Sequence, residues 1–215
     1  MGGEPLITRG LVLKCIICGT ESEQDISNGF DFSTDPDLDQ RPRPAMEGEL
    51  ERRAMRCPGC GYCASNISTD AGVTREMVED PDYQRLISSD GDPVLQNFIA
   101  KGYLMERTGY FIGAFDAYRS AAWIADDLKD DDEARAMRNK AVESGRLFAE
   151  RMIPEGRIGF GDLLRRAGRF GECVSMMDEI LSSEIPDKVR REAEFERRLC
   201  SAEDTGRHSS SEASS

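Results

Sequence analysis

The sequence predicts an α+β fold that is mainly α: a small cysteine-held β module followed by an irregular array of helices. Two observations predict it, and a third bounds its chemistry. Two short cysteine hairpins, Cys15-Ile16-Ile17-Cys18-Gly19 and Cys57-Pro58-Gly59-Cys60-Gly61, lie in the first third of the chain. Apolar residues recur at helical spacing from Pro93 onward. His208 is the only histidine in 215 residues, which removes Ser-His-Asp and Cys-His catalysis and histidine-ligated catalytic metals.

Each cysteine hairpin supplies two thiols and ends in a glycine, the residue that tolerates positive φ in a tight knuckle. Pro58 pre-sets the turn of the second. Four thiolates from two such pairs close a tetrahedron around Zn²⁺. Cys15, Cys18, Cys57 and Cys60 are therefore expected to ligate a structural zinc in a zinc-ribbon-like module spanning residues 1–70. A full four-thiolate shell has no open position, so the metal is expected to hold structure and not to react. The rival is a thiol–disulfide CxxC centre, but that motif stands alone near a βαβ pattern, and no such pattern is present. Leu11 to Lys14 and Arg53 to Arg56 read as the strands entering the hairpins. Cys63 continues the even spacing and could replace a ligand; the simpler expectation is a small buried residue on the strand leaving the knuckle. Seven cysteines, an odd number, argue against a closed disulfide framework.

The two pairs are 38 residues apart (19–56), more than the roughly 15–20 of the compact pattern. A loop over about 21–50 is thus inserted. Proline and aspartate preclude a regular helix or a central strand in it, and its composition predicts a solvated acidic loop. Asp35, Asp37 and Asp39 alternate there, yet an EF-hand needs glycine at its sixth position and glutamate at its twelfth, and neither is present. Together with Arg41 these aspartates form a second set of candidate ligand-contacting residues.

Past Ala71 the pattern turns helical. Thr74 to Ser89 reads as two short helices broken at Asp80-Pro81. Asp92 caps a helix with Pro93 at its first position, and Gly109 ends it. Gly109 to Trp123 has small and aromatic residues spaced like the second helix of a tetratricopeptide repeat (TPR), with Ala114, Tyr118 and Ala121 at the crossing positions. A second copy begins at Gly168, with Cys173 at the small position and Met177 at the aromatic one. The offset of 59 residues, from Gly109 to Gly168, departs from the regular 34, so an irregular TPR-like array is expected over 71–203. Between the copies a helix is expected from Asp132 to Met152. A last one opens at Ile185-Pro186-Asp187, with Val189, Ala193 and Leu199 facing inward. Trp123 is expected in the core, the acidic run 126–133 in a solvated helix junction, and residues 204–215 in a disordered Ser-rich tail. Arg165, Arg166 and Arg169, with Arg190, Arg191, Arg197 and Arg198, read either as basic patches or as partners of neighbouring glutamates.

Taken together, CxxCG, Ser27-Asn28-Gly29-Phe30, PDLDxRP at 36–42, CPxCGY at 57–62 followed by Ile67-Ser68, and Ala-Ala-Trp-x-x-Asp-Asp at 121–127 resemble an uncharacterised prokaryotic family akin to the DUF2225 group. Its members combine a zinc-ribbon-like N-terminus with TPR-like helices. The resemblance covers the chain to about Asp127. It implies Cys15, Cys18, Cys57 and Cys60 as ligands, brings no activity with it, and marks the PDLDQRP loop as a signature element expected to pack over the knuckles.

A net charge of −13 repels phosphate backbones and disfavours nucleic acid as a partner. No apolar run nears the ~20 residues of a membrane span, and the N-terminus lacks the basic and apolar regions of a leader. No membrane partner and a cytoplasmic location are expected. The expected function is that of a noncatalytic zinc-binding scaffold or adaptor presenting a TPR-like surface to a protein or peptide partner. The alternatives are a nucleic-acid-binding zinc-ribbon protein and an enzyme or CxxC redox switch.

Overall fold

A computed structural model describes residues 9–26, 36–41 and 50–214, the side chains of Arg9 and Ser214 excepted. Among these residues the chain forms four short strands and eight α-helices, the mainly α, α+β composition expected. It divides into two compact units. Among the described residues the first comprises 9–26 and 50–114, and the second 36–41 and 115–214.

The first unit begins with β1 (Arg9–Lys14), paired antiparallel to β2 (Glu21–Ile26) so that Lys14 faces Glu21. β2 falls where a loop was expected. Its sequence, ESEQDI, carries no apolar alternation; the knuckle at Cys15–Gly19 turns the chain back and lets β1 template it. A second ribbon joins β3 (Met55–Arg56) to β4 (Cys63–Ala64) across the other knuckle. Three helices follow: α1 (Arg75–Glu79), α2 (Pro81–Ile87) and α3 (Pro93–Arg107). Asp80 ends α1 and caps α2, accepting from the amides of Asp82 and Tyr83. Asp92 caps α3 through the amides of Val94 and Leu95, both at 2.9 Å.

The division does not fall at 70/71, because α2 and α3 are built into the cysteine module. The Tyr83 hydroxyl donates to the Gly61 carbonyl at 2.8 Å and accepts from the Cys63 amide at 3.1 Å. Arg56 donates to the Ile87 carbonyl at 2.8 Å, and Asn97 to that of Ala54 at 3.2 Å. A knuckle this short has too little apolar surface to form a core alone, and these helices supply it.

In the second unit α4 (Phe111–Leu128), whose first turn belongs to the first unit, is followed by α5 (Asp131–Arg146), α6 (Pro154–Arg166), α7 (Phe170–Leu181) and α8 (Asp187–Ser201). Helix α5 packs on α6, and α6, α7 and α8 pack on one another. Trp123, Tyr118, Phe160, Leu163, Leu164 and Met177 are fully buried, so Trp123 is a core residue as expected. Phe115 lies against Phe160 and meets the edge of Phe148, with centroids 6.1 and 5.6 Å away. Helix α6 was not anticipated, although Pro154 stands at its first position. On α8 the inner stripe runs through Val189, Ala193, Glu196 and Cys200. Leu199, expected inside, is only half-buried.

One expectation is corrected here, and one bond is new. Residues 204–214 are folded where a disordered tail was expected. Arg165 donates to the carbonyls of Asp204 and Gly206, and residues 210–214 form a 3₁₀ turn. Polar composition suggested solvent exposure, but the carbonyls of this segment satisfy a buried guanidinium. Cys173 and Cys200 are joined in a disulfide between α7 and α8, which the sequence reading did not anticipate. An odd count forbids only complete pairing. No helix among the described residues is long and apolar enough to cross a membrane.

Candidate metal centre

The two cysteine knuckles have the same backbone. In the first, the Cys15 amide donates to the Thr20 carbonyl at 2.9 Å and the Gly19 amide to the Cys15 carbonyl at 2.8 Å. In the second, the Cys57 amide donates to the Tyr62 carbonyl and the Gly61 amide to the Cys57 carbonyl, both at 2.9 Å. Gly19 and Gly61 each have φ of 78°, a left-handed value that costs any residue with a Cβ. The Ile16 amide donates to the Ile67 carbonyl at 2.9 Å, linking the first knuckle to the turn after β4.

This pairing brings together all four cysteines expected as ligands. The sulfurs of Cys15, Cys18, Cys57 and Cys60 lie within 4.8 Å of one another. Cys15 and Cys60 are 3.8 Å apart, and Cys18 and Cys57 3.5 Å. A tetrahedral ion with bonds of about 2.3 Å to thiolate sulfur has edges of about 3.8 Å. The donor set therefore fits such an ion and can hold it with no open position. Cys15 and Cys57 are buried, while Cys18 and Cys60 are partly exposed. Burial pushes the thiols of Cys15 and Cys60 above the ordinary range. Burial opposes ionisation of Cys18 as well, but hydrogen bonds from Thr20 and the facing cysteines outweigh it and draw the group down to about 6. A cation would offset the burial penalty on Cys15 and Cys60. Cys63 is not among them. It is fully buried, its thiol donates to the Gly61 carbonyl and the Asn97 side chain, and burial pushes it up to about 11.

The second set of candidates lies elsewhere. Asp35 is outside the described residues, as is Ser27-Asn28-Gly29-Phe30. Asp37, Asp39 and Arg41 belong to the second unit. All three are buried, contrary to a solvated loop. The Trp123 indole donates to Asp39 Oδ2 at 2.6 Å, and Arg166 lies 3.5 Å from the same oxygen. Arg41 donates to the Trp123 carbonyl at 3.1 Å and to Asp127 at 2.5 Å. Arg207 pairs with Asp37, and the Leu38 amide donates to the His208 carbonyl at 3.0 Å. Gly159 on α6 admits the segment, since a Cβ there would sit 3.2 Å from the Leu38 carbonyl. These groups spend their hydrogen bonds inside the fold, as anchors of the segment.

Around this anchor runs a network of buried charge that sequence reading missed. Asp126 accepts from Arg138 at 2.5 Å and from Arg166 at 2.8 Å, so it is not part of a solvated junction. Asp130, further along that run, caps α5 by accepting from the Glu133 amide. Arg165 pairs with Asp162 and Glu196 and is fully buried, so Arg165 and Arg166 form no basic patch. Arg169 pairs with its neighbour Glu172, as the pairing alternative expected, and also with the remote Glu143, while Arg197 pairs with Asp178 on another helix. Burial pushes Asp162 up to about 6, whereas at Asp126 the two guanidiniums outweigh burial and hold the carboxyl below its ordinary 3.8. Asp126 thus contributes stability that is complete above its unfolded pKa of 3.8 and lost as pH falls through the lower folded value. Asp126→Asn is expected to cost about 2–3 kcal/mol at pH 7, shrinking below pH 3.8; urea titrations at both pH values measure it.

Comparison with family models, with curated proteins and with solved structures found nothing that matches this chain.

Proposed function

We propose that this protein is a noncatalytic zinc-stabilised adaptor of the cytoplasm, in which a zinc-ribbon-like module and a TPR-like helical array present surface to a protein partner. One observation carries the reading. The cysteine site can close completely around an ion, while the hairpin it anchors leaves large apolar side chains in solvent: Leu11 at 47%, Val12 at 70% and Ile16 at 52% exposure. A metal with no open position does no chemistry on a substrate, and its effect is to fix the backbone that carries these residues. Zinc is favoured by the four thiolates and the tetrahedral spacing. Tyr110, Phe111 and Ile112 add a second exposed apolar run at the turn into α4. The resemblance to the DUF2225 group agrees with this reading and supplies no activity. The interior use of Asp37, Asp39 and Arg41 moves the expected contact surface from the PDLDQRP segment to the hairpin.

Affinity capture with wild type and with Val12→Asp tests it. The expected result is a protein recovered with wild type and reduced at least tenfold with the variant, at unchanged metal content. Identical recoveries would overturn the assignment of the hairpin. Titration with single- and double-stranded oligonucleotides at low salt is expected to be flat; saturable binding would favour the nucleic-acid alternative.

A further inference from the structure

Helices α7 and α8 hold a second group of metal-binding atoms, 100 residues and more beyond the first in sequence. The sulfurs of Cys173 and Cys200 and a carboxylate oxygen of Glu196 lie within 4.8 Å of one another, and all three residues are buried. Glu196 and Cys200 are one turn apart on the same face of α8, and Cys173 faces them from α7. Glu196 Oε1 is 3.7 Å from the Cys173 sulfur and 3.6 Å from that of Cys200. Its other oxygen, Oε2, is buried and has no hydrogen-bond partner. A buried acceptor without a donor is costly, and here it belongs to the carboxylate that points at two sulfurs.

We propose that in the reduced protein Cys173, Cys200 and Glu196 form a second metal site, for a thiophilic divalent cation such as zinc, and that this site and the Cys173–Cys200 disulfide exclude each other. With bonds of about 2.3 Å to sulfur and about 2.0 Å to oxygen, a tetrahedral ion separates sulfur from oxygen by about 3.5 Å. The two sulfur–oxygen distances already match this. Only the sulfurs must part, from bonded to about 3.8 Å, and side-chain rotation at Cα atoms 6.2 Å apart accommodates that. Both carboxylate oxygens binding the ion would complete four donors and satisfy Oε2. Charge runs the same way. Arg165 is one cation facing two buried carboxylates, Asp162 and Glu196. A dication with two thiolates adds no net charge to the core, yet it sets positive charge against Glu196. The exchange balances: a thiol reductant reduces the disulfide to two protein thiols and becomes a disulfide itself, and the incoming ion displaces one proton from each thiol. In a reducing compartment the thiol form is the expected one. Burial of the cluster means that the ion enters as the chain folds.

Metal content per chain tests this. Full-length protein is produced with zinc and purified in a phosphine reductant. It is compared with protein oxidised until five thiols, the number left by one disulfide, react in denaturant. The reduced form is expected to hold one ion more than the oxidised form, two against one when the first site is filled. Because the readout is the difference, it stands even if the knuckles hold no metal. Equal counts would overturn the proposal and leave a permanent structural disulfide. Glu196→Gln, which retains both sulfurs, is expected to lose the extra ion; an undiminished count would overturn the role of the carboxylate. The wild-type comparison decides the main question even if that variant does not fold.

Discussion

With the cysteine site metal-bound as proposed, Cys57→Ser is expected to abolish metal retention by the knuckles and unfold the first unit, α1–α3 included. Cys57 is buried, and its sulfur lies 3.5 Å from that of Cys18. Three thiolates forced together without a fourth ligand repel one another. Metal binding to sites of this kind contributes on the order of 10–16 kcal/mol in small peptides, more than a unit of this size has in reserve. The helices follow because Tyr83 of α2 is bonded to Gly61 and Cys63 at the exit of the knuckle, and Asn97 of α3 to Ala54. Hydrogen exchange read by peptide is expected to lose protection over 9–26 and 50–107 and to keep it over 115–201. Chelation of the wild type should give the same map. Loss confined to residues before 71 would show instead that α1–α3 stand without the knuckles.

Asp39→Ala is expected to destabilise the second unit by about 3–5 kcal/mol, the usual result of removing one partner from a buried ion pair. Asp39 is fully buried and accepts from the Trp123 indole, with Arg166 at 3.5 Å. Truncation leaves the indole N–H without that acceptor and strips one counter-charge from Arg166, which keeps Asp126. Asp39→Asn retains an oxygen for the indole and loses only the charge, so a smaller cost of about 1–3 kcal/mol is expected. Trp123 is the only tryptophan, so its fluorescence during denaturant unfolding reports on this site alone. A change below about 1 kcal/mol for Asp39→Ala would mean that residues 36–41 lie on the second unit without supporting it.

The sequence by itself determined the two cysteine knuckles and the capped start of α3. CxxCG carries its own geometry: two thiols at a knuckle and a glycine at φ of 78° are local requirements, legible within five residues. Caps are equally local, and Asp80, Asp92 and Asp130 each accept from an amide two or three residues ahead. Helical class followed from apolar periodicity, which α3 and α4 display openly. Tertiary structure alone decided β2, the buried segment 36–41, the folded tail, the Cys173–Cys200 bond and the charged core of α6 and α8. These depend on partners remote in sequence: Trp123 reaches Asp39 across 84 positions, and Arg165 reaches Glu196 across 31. A charged residue reads as solvated in any local window, because water is its default partner. Asp39, Arg165 and Glu196 are inside because opposite charges from distant segments meet there, and no local pattern encodes that meeting.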